Sequence, residues 1–66
     1  MKNHIKVNRV IKGLSQEALA QAVGVSRQTF NALEAAKSVP STVLALKLAR
    51  VLEKTIEELF KLEESD

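Results

Sequence analysis

Arg27, Gln28 and Asn31 stand within five residues of one another, and their side chains suit one kind of chemistry. A guanidinium and two carboxamides hold hydrogen-bond groups in fixed planes, the geometry that pairs bidentately with base edges: arginine with guanine, glutamine or asparagine with adenine. At roughly 100° per residue on a helix, Arg27, Gln28, Asn31, Ala32 and Ala35 fall within an arc of about 140°. Phe30 and Leu33 point the opposite way. The outward face is thus a polar strip narrowed by two alanines, and a major groove admits such a helix. Any one of the three polar residues alone would read as an ordinary solvated side chain. Together, on one cleared face, they read as base readout.

Other chemistries are poorly supplied. The chain has one histidine (His4, near an end expected to fray), no cysteine and a single aspartate, Asp66. No pair of titratable groups suggests an acid and a base, and so short a chain leaves little room for a substrate pocket. No catalytic residue, metal site or cofactor is expected. No apolar run approaches a membrane span and no signal-peptide pattern opens the chain, so a cytoplasmic protein is expected.

Sixty-six residues make one small domain, close to the lower limit for folding on a single core. Phe30 and Phe60 are the only aromatics, and the aliphatic composition suits an all-α bundle better than a sheet. Five helices can be placed by their start and stop signals. The first runs from about Ile5 to Lys12 and is halted by Gly13. Ser15 caps a second, with Leu19, Ala20 and Val23 on one face and Gly24 at its end. Ser26 caps the third, which carries the three polar residues. Ser41 caps a fourth, where Leu44, Leu48 and Leu52 recur at four-residue spacing. Thr55 and Glu58 form a capping box opening a fifth, with Ile56, Leu59 and Phe60 inward. The ends read two ways: HIKVNRV alternates at Ile5 and Val7 and also fits a short strand, with LFKLEE as its antiparallel neighbour. A continuous first helix is the favoured reading.

Charge is unevenly spread. Residues 1–50 hold eight basic side chains against Glu17 and Glu34, while residues 51–66 hold two basic against six acidic. A basic body with an acidic tail is the electrostatic outline of a nucleic-acid binder.

Between Gln16 and Ala35, two short helices join through a tight turn at Gly24. Ala20 lies where they would cross closely, and Leu19, Val23, Val25, Phe30 and Leu33 fill the seam. This stretch, QEALAQAVGVSRQTFNALEAAK, resembles the helix-turn-helix of phage-repressor and Cro-like (Xre-like) regulators. The resemblance spans nearly the whole chain, from IKVNR through PSTVLALKLARVL to TIEELF, and is closest to minimal single-domain members. It implies a compact five-helix, lambda-repressor-like domain over residues 1–66, with motif helices at about 16–23 and 27–36.

The resemblance also implies roles. The amino-terminal end of the second motif helix, with Arg27 and Gln28, would reach base edges, joined by Asn31. Gln16 stands where the family places a phosphate-binding glutamine, in a first turn whose free N–H groups and dipole suit an anion. Ser26 and Thr29 are further candidates for the DNA backbone, with Ser26 also serving as the helix cap. Lys37 falls where the family carries a basic residue near the phosphates. Arg9 and Glu34 match an arginine–glutamate pair, expected to be structural and to set the angle of the recognition helix.

Departures are also visible. Ala35-Ala36 replaces the family's common Asn-Gly, so the helix is expected to run on by part of a turn. Glu53-Lys54 replaces a Gly-containing turn. Asn8 stands where many relatives are apolar. Ile11 and Val39 are apolar and suggest an interface, although a merely exposed residue is the more ordinary explanation.

The leading functional expectation is a sequence-specific double-stranded-DNA-binding regulator, a repressor acting as a homodimer on a palindromic or pseudo-palindromic operator, with no small-molecule ligand. By elimination and by family habit, Ile56, Leu59, Phe60 and Leu62 are expected at the dimer seam. An antitoxin-type autoregulator and a helix-turn-helix used only as a protein-interaction module are the alternatives.

Overall fold

A computed structural model describes all 66 residues. Its elements in chain order are β1 (Lys2–Asn3), α1 (Ile5–Ile11), α2 (Gln16–Val23), α3 (Arg27–Glu34), α4 (Thr42–Leu52), α5 (Ile56–Leu59) and β2 (Phe60–Lys61). The five helices stand where the caps and stops place them. The two readings of the ends prove compatible: helix α1 begins at Ile5, and an antiparallel ribbon forms from the residues before it. Lys2 pairs with Lys61 and Asn3 with Phe60. Ile5 and Val7 are therefore helical, and the terminus around His4 is held, because the His4 N–H donates to the Leu59 carbonyl at 2.7 Å.

Four helix starts are built by side-chain caps. The hydroxyls of Ser15, Ser26, Ser41 and Thr55 accept from the backbone N–H of Ala18, Thr29, Leu44 and Glu58 at 3.0–3.1 Å. Glu58 completes its box by accepting the Thr55 N–H at 2.9 Å. Each such cap contributes about 1 kcal/mol to a helix otherwise too short to persist alone.

The helix ends follow one pattern. After each of α1 to α4, a residue at positive φ turns the chain: Gly13 (73°), Gly24 (76°), Ala36 (60°) and Glu53 (56°). In every case the following N–H reaches back five residues, as Lys37 does to the Ala32 carbonyl at 2.9 Å. This is the Schellman closure. At Gly24 a Cβ would meet nothing within 4 Å, so the requirement there is the dihedral itself. The expected run-on of α3 does not occur. Closing two carbonyls of the last turn outweighs the left-handed strain of an alanine, and the helix stops at Glu34.

The core is one cluster: Ile5 from α1; Leu19, Ala20 and Val23 from α2; Phe30 and Leu33 from α3; Leu48 and Leu52 from α4; and Leu59 with Phe60. Ala20 is 2% exposed on α2, which packs against both α3 and α4. A small residue there keeps the helices close. Leu59 and Phe60 are consumed by this core, at 0% and 8% exposure. That corrects the expectation that they face a partner: Leu59 retains no free surface, and Phe60 shows only one edge, at the floor of an apolar groove. Ile56 is half-buried and Leu62 is exposed.

The strain at Ala36 is measurable. The left-handed conformation costs alanine about 1–2 kcal/mol, partly offset in a glycine variant by greater unfolded-chain entropy. Ala36→Gly should therefore stabilise the domain by about 0.5–1 kcal/mol, raising the melting temperature by several degrees. Ala35→Gly, at φ −79°, should do the opposite. Thermal melts of the two variants check the pair, and a loss of stability in Ala36→Gly would contradict this account of the α3 end.

Candidate nucleic-acid interface

Three residues, Gly24, Val25 and Ser26, separate α2 from α3. The left-handed Gly24 ends the first helix, and the Ser26 cap begins the second at once. Half-buried Val25 packs against the core between them. On α3, Phe30 (0% exposed) and Leu33 (2%) anchor the inner face. Arg27, Gln28 and Asn31 are all exposed, Ala32 is half-buried and Ala35 is exposed. None of the side chains of Arg27, Gln28, Asn31 or Lys37 is committed to a hydrogen bond within the chain. Their hydrogen-bonding capacity faces solvent and is available to a partner.

Ser26 and Thr29 are differently placed from one another. The Ser26 hydroxyl accepts the Thr29 N–H at 3.1 Å and donates to Thr29 Oγ1 at 3.0 Å. Its proton is used, which leaves Thr29 as the hydroxyl with a donor to spare. Lys37 is fixed by its backbone as the closing residue of the α3 Schellman turn, with its side chain exposed.

Behind this surface lies a polar cluster centred on Glu34. Arg9 Nε donates to Glu34 Oε2 at 2.8 Å and Arg9 Nη2 to Oε1 at 3.3 Å. Arg9 Nη1 donates to the Leu14 carbonyl at 2.8 Å. Gln16 Nε2 donates to Glu34 Oε1 at 3.0 Å. The side chains of Arg9 and Glu34 are 12% and 6% exposed. Burial pushes the Glu34 carboxyl up, but hydrogen bonds from Arg9 and Gln16, with the Arg9 and Lys6 charges, outweigh it and hold the group below its ordinary value. The cluster thus joins α1, the start of α2 and the last turn of α3.

Two links were not anticipated from the sequence. Asn3 accepts the Ile5 N–H at 3.1 Å and donates to the Leu33 carbonyl at 2.9 Å, tying the ribbon and the start of α1 to the end of α3. An asparagine two residues before a helical run is a cap-type signal that points to the first bond and not to the second. Gln16, expected only as a phosphate contact, is also part of the Glu34 cluster. That link joins residues 18 positions apart, and no local pattern announces it.

A helix-turn-helix family model matches residues 5–59. Among curated proteins, the chain is 46% identical over 66 residues to an uncharacterised helix-turn-helix-type transcriptional regulator, YgzD, of Bacillus subtilis, covering the whole of both chains. It is 44% identical over 66 residues to another such regulator of Methanocaldococcus jannaschii, again covering both chains completely. Among solved structures it is similar to the restriction-modification controller protein C.AhdI from Aeromonas hydrophila, with a TM-score of 0.77, 39% identity and 85% coverage of each chain. No helix is long and apolar enough to cross a membrane.

The Glu34 cluster makes a stability prediction. Arg9→Met or Glu34→Leu alone should cost about 3 kcal/mol, since each strands a largely buried charge; the double variant should cost less than the sum. Denaturant melts of the four proteins test this, and additive costs would mean the pair is not coupled. Because the Glu34 pKa is depressed, its contribution is complete above about pH 4.5 and fades as the pH falls below that through the folded-state value. The stability gap between wild type and Glu34→Gln should therefore shrink on acidification, and a constant gap would count against the ion pair.

Proposed function

The chain belongs to the Xre/Cro-like helix-turn-helix family of DNA-binding transcriptional regulators, and on that premise we propose that it is a sequence-specific repressor. It binds double-stranded DNA in the cytoplasm as a homodimer, with α3 in the major groove. The whole of residues 1–66 acts as one DNA-binding unit. The observation that carries the reading is the face of α3: three planar or forked hydrogen-bonding side chains, exposed and uncommitted, on a helix anchored from behind by Phe30 and Leu33.

Arg27, Gln28 and Asn31 read base edges, with Arg27 and Gln28 at the end of α3 nearest the groove floor. Gln16, Thr29 and Lys37 hold the sugar–phosphate backbone. Ser26 supports them chiefly by fixing the start of α3 and the Thr29 hydroxyl. Gln16 occupies the first turn of α2, where the leading backbone N–H groups have no intrahelical acceptor and the helix dipole favours a phosphate. Repression follows from occupancy, since a dimer on a promoter excludes polymerase.

One α3 covers only a few base pairs, so genomic specificity calls for two half-sites about one helical turn apart. The dimer surface we favour is an open apolar groove of about 290 Å³ between the loop after α3, α4 and α5, lined in part by Val39, Leu46, Ile56 and the edge of Phe60. Val39 and Leu46 are 69% and 56% exposed, and Val43 on the same helix is 62% exposed. Such side chains gain by mutual burial. Ile56 and Leu62, of the four residues first expected at the seam, remain available to it.

Selection of bound sequences from a random duplex pool tests the central reading. It should return a two-fold symmetric site, and Arg27→Ala or Gln28→Ala should relax preference at one position per half-site, costing about 1–3 kcal/mol. Affinity for random duplex should also fall steeply with salt. Absence of salt-sensitive duplex binding at low ionic strength would instead leave a protein-interaction module. In sedimentation, Leu46→Glu should shift a wild-type dimer to monomer while retaining helix content; an unchanged dimer would rule out this groove as the seam.

A further inference from the structure

The Glu34 carboxylate holds a third donor that its ion pair does not require. Arg9 satisfies the charge through Nε and Nη2, yet Oε1 also accepts Gln16 Nε2 at 3.0 Å. Gln16 is half-buried, and Glu34 Oε1 is its sole side-chain partner in the chain. We infer that Glu34 is a positioning residue for DNA-backbone binding: it fixes the Gln16 carboxamide so that its second Nε2 hydrogen, and not its oxygen, is presented to a phosphate. This inference rests on the reading of Gln16 as a backbone contact.

The chemistry follows from the symmetry of a carboxamide. A glutamine side chain has an acceptor end and a donor end of nearly equal shape, and free rotation would present either one. A phosphate accepts only from the donor end and repels the other. A carboxylate on the inner side removes the ambiguity, since it too accepts only from the NH₂ group. One hydrogen is spent on Glu34, and the amide plane then directs the other away from it. Arg9 is the necessary companion because it neutralises Glu34, so the orienting charge does not repel the phosphate it serves.

The same carboxylate sits on the last turn of α3, one turn beyond Asn31. A single group therefore sets the donor at the start of α2 and holds the end of the reading helix. The relation between backbone contact and base contact is fixed inside the protein before DNA arrives, which lowers the ordering cost of binding.

A double-variant cycle on DNA affinity distinguishes this role from that of a strut. Gln16→Ala, Glu34→Gln and the combination are compared with wild type for binding to a nonspecific duplex, after melts confirm that each variant is folded at the assay temperature. Any gain from removing the Glu34 charge, and any shift of α3, is common to both backgrounds. Glu34→Gln should weaken binding about 3- to 10-fold more when Gln16 is present than when it is alanine. Equal factors in the two backgrounds would overturn the positioning role while leaving Gln16 as a contact. Unchanged affinity in Gln16→Ala would overturn the contact itself, and the inference with it.

Should Glu34→Gln fail to fold, the wild-type protein supplies a second measurement. In the free protein, one of the two Gln16 side-chain amide protons should be shifted by the carboxylate, and adding duplex should shift mainly the other. Both protons at the shifts of a solvated glutamine carboxamide in the free protein, or a duplex effect confined to the proton already bonded, would overturn the inference.

Discussion

Glu34 rides on the last turn of α3 while accepting hydrogen bonds from Arg9 of α1 and Gln16 of α2. Three of the five helices thus meet at one largely buried carboxylate. Helices of seven or eight residues do not persist alone in water. Their mutual orientation must come from contacts between them, and non-directional apolar packing tolerates small rotations. A forked guanidinium against a carboxylate does not, because both hydrogen bonds require a common plane. The exposed face of α3 inherits its direction from that constraint.

The apolar core and the polar cluster divide the work of holding α3. Phe30 and Leu33 supply most of the burial on its inner face. The cluster, with Asn3 bonded to the Leu33 carbonyl, fixes the carboxy-terminal end of the helix. At the other end, Gly24 and the Ser26 cap determine where it begins. Both ends being set, the side chains between them need no internal partner. Arg27, Gln28 and Asn31 are left unspent by the fold, and unspent planar hydrogen-bonding groups on a rigid helix are the physical requirement for recognition at low entropic cost.

A domain of this size has stability of only a few kcal/mol in hand. It nevertheless holds two non-glycine residues in the left-handed region, Ala36 and Glu53. Glu53 also pairs with Lys12, which links the α4–α5 turn to the end of α1. Ala36 has no comparable partner and lies at the edge of the exposed α3 face, between the end of α3 and Lys37. The Schellman hydrogen bonds outweigh the strain there because two helix carbonyls would otherwise lose their protein partners.

Local chemistry was legible in the sequence wherever a single residue type decides a local outcome. Serines and a threonine fixed four helix starts, glycines marked two stops, and the 3.6-residue period separated Phe30 and Leu33 from the polar strip on α3. The Arg9–Glu34 pair came from likeness to a family, since nothing local links positions 25 apart. Tertiary structure decided the rest. Leu59 and Phe60 looked equally suited to a core or a seam, and only the packing of α5 against α4 assigned them inward. The stop at Ala36 depended on whether hydrogen bonding or backbone strain would win. Gln16 gained Glu34 as a partner only when α2 and α3 were set side by side. Periodicity and capping are encoded within a few residues, whereas a shared carboxylate is a property of three helices at once.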